Sequence, residues 1–326
     1  TGWYGIEIGD ACRQIRLVGN TIRDLGAGGI KINGAAAADK AIHRRTGHHR
    51  ITDNTIVQGG RIFHSAIGIL AMNACRLLIA HNYIRDFFYT GISCGWEWGY
   101  QDSVSRDNWI ENNHIHQIGQ GLLSDMGGIY TLGVQPGTRI RGNLIYDIHC
   151  ANYGGWCIYP DEGSSHLLIE NNVCYDADRQ AFHQHYGREN IVRNNIFAFG
   201  EESVAHYSRT DKHTGLTFEK NILLTNGKPV FTSRKPLTIQ EMRSDLNLVF
   251  DVSGKPPFCL FGGKIRTSWK QWRRLGFDLH SLVADPKFRN WKKRDFRLKP
   301  GSPALKMGFV PFDGKNVGPR PPALRD

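Results

Sequence analysis

The chain has 326 residues, 40% of them hydrophobic and 22% charged, which is enough apolar material for a large core and excludes a disordered chain. No stretch approaches about 18 consecutive apolar residues, so neither a membrane-spanning helix nor a membrane partner is expected. The sequence opens at Thr1 inside a strand-like pattern, without a basic and apolar leader, and we expect residues upstream of it.

The formal net charge of +11 is concentrated near the C-terminus. Residues 260–300 contain twelve Lys or Arg and three Asp, a local charge of +9. A localised basic segment without a recognisable nucleic-acid motif is weak support for a nucleic-acid partner, so none is predicted. Solvated surface is the preferred interpretation, with attraction to an acidic polysaccharide as the alternative.

The sequence repeats an Asn followed by β-branched or other apolar residues. Copies follow one another at intervals of 23 to 34 residues and begin at Asn20, Asn54, Asn82, Asn113, Asn143, Asn172, Asn195, Asn221 and Asn247. Between them a small residue precedes an apolar one, as in Gly91-Ile92 and Gly128-Ile129. Units of short strands and turns bury their apolar side chains only by stacking on the next unit. The pattern predicts an all-β fold, a right-handed parallel β-helix, with the asparagines stacked as a ladder at one turn.

The repeat weakens after Asn247. Trp269, Trp272 and Trp291 then occur among Lys and Arg residues, and residues 295–305 read DFRLKPGSPAL. A solenoid needs a terminal cap to cover its last apolar layer. Residues 1–254 are therefore predicted to form the rungs, and residues 255–326 the C-terminal cap and tail of the same domain.

Side chains at equal distances from the small-apolar marker are predicted to lie above one another on a strand face. This position is polar and aromatic in the middle rungs, whereas earlier rungs read Lys31-Ile32-Asn33 and Leu70-Ala71-Met72. The polar strip consists of Trp96, Glu97, Trp98, Tyr130, Tyr159, Asp161, Glu162, His183, His185, Tyr186, His206 and Tyr207. Aromatic faces suit the apolar side of a pyranose, and carboxylates and imidazoles suit its hydroxyls, so a sugar is expected to bind here. Core or cap packing is the alternative for the tryptophans, and a hydrogen-bonded surface pair for the first two histidines.

Glycoside hydrolysis requires two carboxyl groups, one as acid and one as nucleophile or base. Asp161, Glu162 and Glu97 are the candidates in the strip, and Asp125 lies just upstream in SDMGGIYTLG. Asp125 is alternatively a turn residue, and Glu162 a cap of the following turn. Straight strands would separate Asp125 and Asp161 by roughly 20 Å at about 3.3 Å per residue. The two can act together only if the segment before Gly127-Gly128 folds back over its strand.

A metal site is the alternative for the histidines. His183, His185, His206 and Asp161 lie at related positions, but no short ligand spacing defines a site. The seven cysteines are an odd number without a C-x-x-C pair, so neither zinc nor a disulfide framework is predicted. We expect no metal or other cofactor, and most cysteines should be buried as small apolar residues.

Five glycine-rich strings resemble the right-handed β-helix glycoside hydrolases, most closely glycoside hydrolase family 141, which contains α-L-fucosidase and xylanase activities. They are GRIFHSAIGI (60–69), YTGISCGWEWGY (89–100), GQGLLSDMGGIYTLGVQPGT (119–138), GGWCIYPDEGSS (154–165) and AFHQHYGRENIVRNNIFAFG (181–200). The resemblance implies that Asp125 and Asp161 are the catalytic aspartates. It implies a sugar pocket lined by His64, Trp96, Trp98, Tyr130, Tyr159, Glu162, His183 and His185.

The resemblance also implies a secreted or periplasmic bacterial enzyme that acts on a plant cell-wall polysaccharide or oligosaccharide. Members of the family typically carry an additional N-terminal β-rich portion, which agrees with the expectation of residues upstream of Thr1. The oligomeric state is not predicted.

Two other functions remain open. A polysaccharide lyase or epimerase abstracts a proton next to a carboxylate and needs a cation, such as calcium or Arg, to stabilise the charge that forms. The polar strip shows no Arg, which favours hydrolysis. A non-catalytic glycan-binding or adhesin solenoid would keep the aromatic residues without needing paired carboxyls.

Overall fold

The computed structural model describes residues 1–35, 41 and 45–325. Short strands pair in parallel with the equivalent strands of the next repeat, and successive coils build three sheets along the molecule. The predicted parallel β-helix is confirmed. We call the three sheets sheet 1, sheet 2 and sheet 3.

Each coil contributes one strand to each sheet in turn. Sheet 1 contains Ile6–Ile8, Ile30–Asn33, Ile69–Met72, Ile92–Cys94, Met126–Thr131, Gly155–Pro160, Gln180–Gln184, Ser203–Tyr207, Phe231–Ser233, Phe258–Phe261 and the antiparallel Ile265–Ser268. Sheet 2 contains Arg16–Val18, Arg50–Thr52, Leu78–Ala80, Trp109–Glu111, Arg139–Arg141, Leu168–Glu170, Asn190–Arg193, Leu216–Glu219 and Met242–Asp245. Sheet 3 contains Thr21–Arg23, Thr55–Val57, Tyr83–Phe87, His114–Ile118, Leu144–Ile148, Val173–Ala177, Ile196–Gly200, Ile222–Thr225, Leu248–Asp251 and Leu282–Val283.

The core is a stack of like residues. In sheet 1, Ile69, Ile92, Ile129 and Ile158 pair in register and each is fully buried. Since strand side chains alternate between two faces, the residue after each isoleucine points away from the core. The buried stack therefore fixes which side chains reach the outer face of sheet 1.

The predicted asparagine ladder is confirmed at the corner between sheets 2 and 3. Each amide nitrogen donates to the carboxamide oxygen of the next asparagine, at 2.9 Å from Asn20 to Asn54 and 3.3 Å from Asn221 to Asn247. Each carboxamide oxygen after the first also accepts the backbone N–H of the preceding asparagine. The ladder satisfies buried polar groups that the tight corner leaves outside the sheets.

The stack continues past residue 254 by a partial coil. Phe258–Phe261 pairs with Phe231–Ser233, and Leu282–Val283 pairs with Leu248 and Val249. Helix α1 (Trp269–Arg274) then closes the end, and its fully buried Trp272 stacks on Phe277 at 3.9 Å.

At the end of the ladder Ser281 stands at the register position of the next asparagine and accepts the Asn247 backbone N–H at 2.8 Å, whereas the last side-chain amide meets Asp278. Its carboxylate accepts from the Asn247 amide at 2.8 Å and from the Trp272 indole at 2.7 Å. The hydroxyls of Ser244 and Ser281 donate to it as well. One buried carboxyl thus ends the ladder and anchors the covering helix.

The C-terminal tail returns along the solenoid toward its first coils. It contains a hairpin of Phe288–Asn290 and Asp295–Leu298 around the 3-10 turn Trp291–Lys293, then helix α2 (Pro303–Lys306) and the 3-10 turns Gly314–Asn316 and Pro322–Leu324. Arg294 pairs with Asp176 at 2.7 Å, and Arg320 pairs with Asp53 at 2.9 Å. Part of the basic C-terminal charge is therefore used to hold the tail against the coils.

All seven cysteines are unpaired, and five of them are buried. Within the described ranges, no helix combines the length and apolar character needed to cross a membrane.

Candidate active site

A cavity of about 310 Å³ opens on the outer face of sheet 1 in the middle and later coils. Its wall is polar and aromatic. It is lined by Asp125, Tyr153, Gly154, Trp156, Tyr159, Asp161, Glu162, Arg179, Gln180, His183, His185, Glu202, His206, Ser208 and Arg234. We call this the sheet 1 cavity.

Strand register brings these residues together in columns. Tyr130 is paired with Tyr159, and His183 with His206, in neighbouring strands of sheet 1. The pairing of Ile158 with Phe182 and of Tyr207 with Ser233 extends this register over further coils. A second column, two residues further along each strand, consists of Asp161, His185, Ser208 and Arg234. Residues at equal offsets do lie above one another, as the repeat predicts.

The two aspartates line the same cavity, and the chain bends at Asp125 itself, just before its strand. Residues 126–131 remain paired with residues 155–160, so the double glycine is not a reverse turn. Gly127 packs closely on the next coil, where an added Cβ would lie 3.2 Å from the Tyr159 Cβ. Asp125 itself has a left-handed φ of 61°, a conformation that Asp tolerates. The Tyr159 hydroxyl donates to Asp125 Oδ1 at 3.2 Å and also interacts with the Asp161 carboxylate.

Asp161 is held by two donors. The Tyr130 hydroxyl donates to Oδ2 at 2.5 Å, and His185 Nδ1 lies 2.8 Å from Oδ1. An ionised carboxylate can only accept, so with Asp161 charged the His185 Nδ1 carries the proton. Only 8% of the Asp161 side chain is exposed, which makes both bonds effective.

The environment of Asp125 is dominated by burial. Burial raises the pKa of its carboxyl, and the charge on Asp161 raises that pKa further. The hydrogen bond from Tyr159 acts against this rise. Tyr89 donates to the Asp125 backbone oxygen at 2.8 Å rather than to its carboxyl. The cavity thus contains one carboxyl that tends to keep its proton and a second one supplied with hydrogen-bond donors.

The cavity floor is aromatic and uncharged. Tyr159 and His183 stack at 4.9 Å, and Trp156 lies 4.1 Å from both rings. Burial lowers the pKa of His183 well below its ordinary value, and it lowers the pKa of His206 to about 4. Both imidazoles are therefore neutral at pH 7, and the floor offers flat faces to a sugar ring.

The tryptophan loop lies at the rim rather than in the cavity. Trp96 and Trp98 contact each other edge to face at 5.2 Å, and Trp98 is 45% exposed. The Gly99 N–H donates to the Glu162 backbone oxygen, which places this loop beside the turn after Asp161. Tyr186, predicted to bind sugar, instead donates to Glu162 at 3.2 Å. Glu97, in the same loop, lines no part of the cavity.

His64 lies apart from the other predicted residues. It is exposed, its ring packs against Phe88 at 5.1 Å, and it does not line the sheet 1 cavity. Its loop precedes Ile69–Met72, two coils before the strand that follows Asp125, and each coil adds about 4.8 Å along the axis.

Two arginines line the cavity, although the polar strip contains none. Arg179 and Arg234 both line the cavity, and Arg179 pairs with Glu202. The polar strip covers only positions that follow the small-apolar marker, whereas Tyr153, Arg179 and Glu202 come before their strands. Asp125 also comes before its strand, so the sequence did carry a signal that the site extends to residues upstream of the strands.

One ring nitrogen each of His183 and His206 is engaged in a hydrogen bond with a hydroxyl group. His183 Nε2 contacts the Ser208 hydroxyl, and His206 Nδ1 lies 2.7 Å from the Thr232 hydroxyl. In the part of the chain that the structure describes, no group of three or more His, Cys, Asp or Glu side chains has the arrangement of a metal site.

The sequence matches the family model described as "Right handed beta helix region" over residues 1–132 and 105–240. The chain therefore belongs to the right-handed β-helix family. No curated protein matches the sequence.

Three solved structures are similar to this chain. A protein described as a glycoside hydrolase is 22% identical over 59% of this chain and 32% of its own, with a TM-score of 0.48. XylC in complex with xylose is 15% identical over 79% and 49%, with a TM-score of 0.51. The A-module of the mannuronan C-5 epimerase AlgE4 of Azotobacter vinelandii is 12% identical over 85% and 80%, with a TM-score of 0.54. At these identities the likeness concerns the fold alone, and the chain spans about a third and about half of the first two proteins.

Proposed function

We propose that the protein is a glycoside hydrolase that uses Asp125 and Asp161 as its two carboxyl groups. The observation that carries this proposal is the contrast between them in one cavity, where Asp125 has a raised pKa and Asp161 accepts two hydrogen bonds. Paired carboxyls whose environments differ in this way suit the roles of acid and nucleophile or base.

In this mechanism Asp125 is the general acid. Its carboxyl gives its proton to the glycosidic oxygen as the bond from that oxygen to the anomeric carbon breaks. Asp161 either attacks the anomeric carbon or removes a proton from the attacking water, and water supplies the hydroxyl of the new reducing end. Tyr130 and His185 orient the Asp161 carboxylate throughout.

The neighbouring side chains suit a sugar substrate. Trp156 and Tyr159 offer aromatic faces beside the carboxyls, and exposed Trp98 extends the surface at the rim. The resemblance to glycoside hydrolase family 141 supports a fucosidase-like or xylanase-like activity on a plant cell-wall glycan. A secreted or periplasmic location belongs to the same proposal.

The test compares Asp125→Asn and Asp161→Asn with the unchanged protein on a panel of aryl glycosides and wall polysaccharides. We expect each variant to lose at least about 1,000-fold in kcat/KM, because an amide replaces neither a proton donor nor a nucleophile or base. Asp178→Asn is the matched control, since Asp178 also bonds a histidine, at 2.8 Å, but lies outside the cavity. Full activity in both site variants would reject the assignment, and binding without turnover in the unchanged protein would favour a glycan-binding solenoid.

A uronate lyase or epimerase is the second candidate, and the arginines in the cavity favour it. Arg234 supplies the cation that charge stabilisation requires, and neutral His183 lies in the same cavity. An unsaturated product that absorbs in the ultraviolet, or epimerisation without new reducing ends, would identify this chemistry.

A further inference from the structure

Arg234 lies at the end of the sheet 1 cavity remote from Asp125. It follows the strand Phe231–Ser233 and continues the column that contains Asp161 and His185. It is exposed, and its guanidinium forms no hydrogen bond or ion pair with the described residues. Arg179, the other arginine of the cavity, is already paired with Glu202. Arg234 therefore presents an uncompensated positive charge to whatever enters.

The position of Arg234 would bring it close to a sugar residue beyond the one at the cleaved bond. The strands before Asp161 and Arg234 are three coils apart, which corresponds to about 14 Å at about 4.8 Å per coil. This separation exceeds the length of a single sugar residue. A glycan lying along the solenoid axis would reach Arg234 one or two residues away from the bond at Asp161.

The same cavity contains a second unused polar group, in the coil next to that of Asp161. His183 is 4% exposed and lines the cavity, and its Nδ1 has no hydrogen-bond partner among the described residues. A buried ring nitrogen without a partner costs free energy that a ligand hydroxyl would recover. Because burial keeps His183 and His206 neutral at pH 7, neither adds a charge of its own there.

We propose that Arg234 binds an anionic group on the sugar chain, a carboxylate or a sulfate ester, so that the substrate is an acidic glycan. This rests on the proposed function for the position of cleavage. The planar guanidinium matches either group through two parallel N–H···O bonds. A net charge of +11 would also attract an acidic polymer toward the surface.

The test measures binding in an Asp161→Asn background, where turnover does not interfere, with Arg234 intact and with Arg234→Ala. The probes are a uronic-acid oligosaccharide, its carboxyl-reduced neutral counterpart and a sulfated oligosaccharide of equal length, each followed by isothermal titration calorimetry. Lys235→Ala is the matched control, because it removes an adjacent cation that pairs with Glu241 at 2.7 Å and lies outside the cavity.

We expect Arg234→Ala to weaken binding of one anionic probe about 10-fold, the size of one lost charge-assisted hydrogen-bonded pair. Binding of the neutral probe should change less than about 2-fold, and Lys235→Ala should leave all three affinities within the same range. The arm that loses affinity identifies carboxylate or sulfate. Equal binding of acidic and neutral probes, or anionic binding insensitive to Arg234→Ala, overturns the inference and leaves the hydrolase proposal untouched. Arginine-dependent binding without any hydrolysis by the unchanged protein retains the inference and rejects the hydrolase.

Discussion

The asparagine corner and the outer face of sheet 1 are built on the same coils but differ in how they repeat. At the corner the same side chain recurs in coil after coil, and every amide within the stack donates to the next. On sheet 1 the equivalent position changes from Tyr130 to Tyr159, His183 and His206. Uniform repetition satisfies the backbone and sets the spacing of the coils, whereas varied repetition places different chemical groups in one cavity.

The two regions also differ in whether their polar groups have hydrogen-bond partners. Inside the ladder each carboxamide oxygen accepts two bonds, as at Asn143 from the Asn113 side chain and backbone. On sheet 1, His183 Nδ1 and the Arg234 guanidinium have no partner among the described residues. Substitutions at the corner, where the hydrogen bonds are complete, are therefore expected to change stability. Substitutions on the outer face of sheet 1, where polar groups lack partners, are expected to change binding and catalysis.

The largest expected effect is on stability, from Asn143→Ala in the middle of the ladder. The substitution removes four buried hydrogen bonds, two accepted from Asn113 and two donated to Ile110 and Asn172. We expect the free energy of unfolding to fall by about 4 kcal/mol, because the partners stay buried without replacements. Chemical denaturation measures the change.

Asn20→Ala is the matched control at the exposed first position of the ladder, where the side chain makes one bond, to Asn54 Oδ1, and the backbone N–H bond to the same oxygen is kept. We expect it to cost less than about 1 kcal/mol. Similar losses for the two variants would contradict the idea that burial makes the ladder valuable. A changed kcat per folded molecule in Asn143→Ala would show that the asparagine corner also affects catalysis at the sheet 1 cavity.

The next largest effect tests whether the C-terminal tail contributes to stability, as the asparagine corner does. Arg320 forms two bonds to Asp53, whose side chain is fully buried beside the ladder. Arg320→Ala should destabilise the protein by about 3 kcal/mol at pH 7, because it leaves a buried carboxylate without its cation.

The pH dependence has a definite sign. Burial opposes ionisation of Asp53, but the hydrogen bonds and charge of Arg320 prevail and hold its pKa below the ordinary 3.8. The contribution is present above that value and disappears as the pH falls through the lowered pKa. Thermal melts at pH 7 and at about pH 3 should therefore show a smaller difference between the two proteins at the acid end. A constant difference would show that Arg320 acts through packing alone.

The repeat made the fold and the columns predictable, because stacking requires like residues at equal offsets. The ladder from Asn20 to Asn247 and the alignment of Tyr130 with Tyr159 follow from that rule alone. Asp125 was harder to place, because it lies upstream of its strand and its left-handed φ of 61° cannot be read from spacing. The sequence names it both as a carboxyl just upstream of the polar strip and through the family resemblance.

Other parts of the site could not be read from offsets. Arg179 and Glu202 lie before their strands, upstream of the positions that the polar strip covers. Arg234 shares the offset of Asp161 and His185, but it lies one coil beyond the last residues of the strip. The contacts of the tail, such as Arg320 with Asp53, join residues far apart in sequence. His64 was named by resemblance alone, and its loop lies two coils before the strand that follows Asp125.

A smaller effect on catalysis is expected from His185→Ala. His185 is a positioning residue in this interpretation, because its Nδ1 bonds Asp161 at 2.8 Å. Losing one charge-assisted hydrogen bond should lower kcat about 10- to 100-fold, with little change in KM. His149→Ala is the control, since His149 bonds Asp178 at the same distance of 2.8 Å outside the cavity. Equal effects of the two variants, or a loss confined to KM, would contradict the positioning role.

The smallest effect is a shift of a pH profile, from Tyr159→Phe. The Tyr159 hydroxyl donates to Asp125 and thereby lowers the pKa of a carboxyl that burial and the charge on Asp161 raise. Removing the hydroxyl should raise the pKa of Asp125 further, by less than about one unit. A general acid must be protonated, so the alkaline limb of kcat/KM should move to higher pH. Tyr130→Phe is the matched control, because its hydroxyl bonds Asp161 rather than Asp125, and its loss should leave the alkaline limb in place. An alkaline limb that moves to lower pH in Tyr159→Phe would show that Asp125 is not the acid, and the contrast between the two carboxyls would then need the opposite assignment.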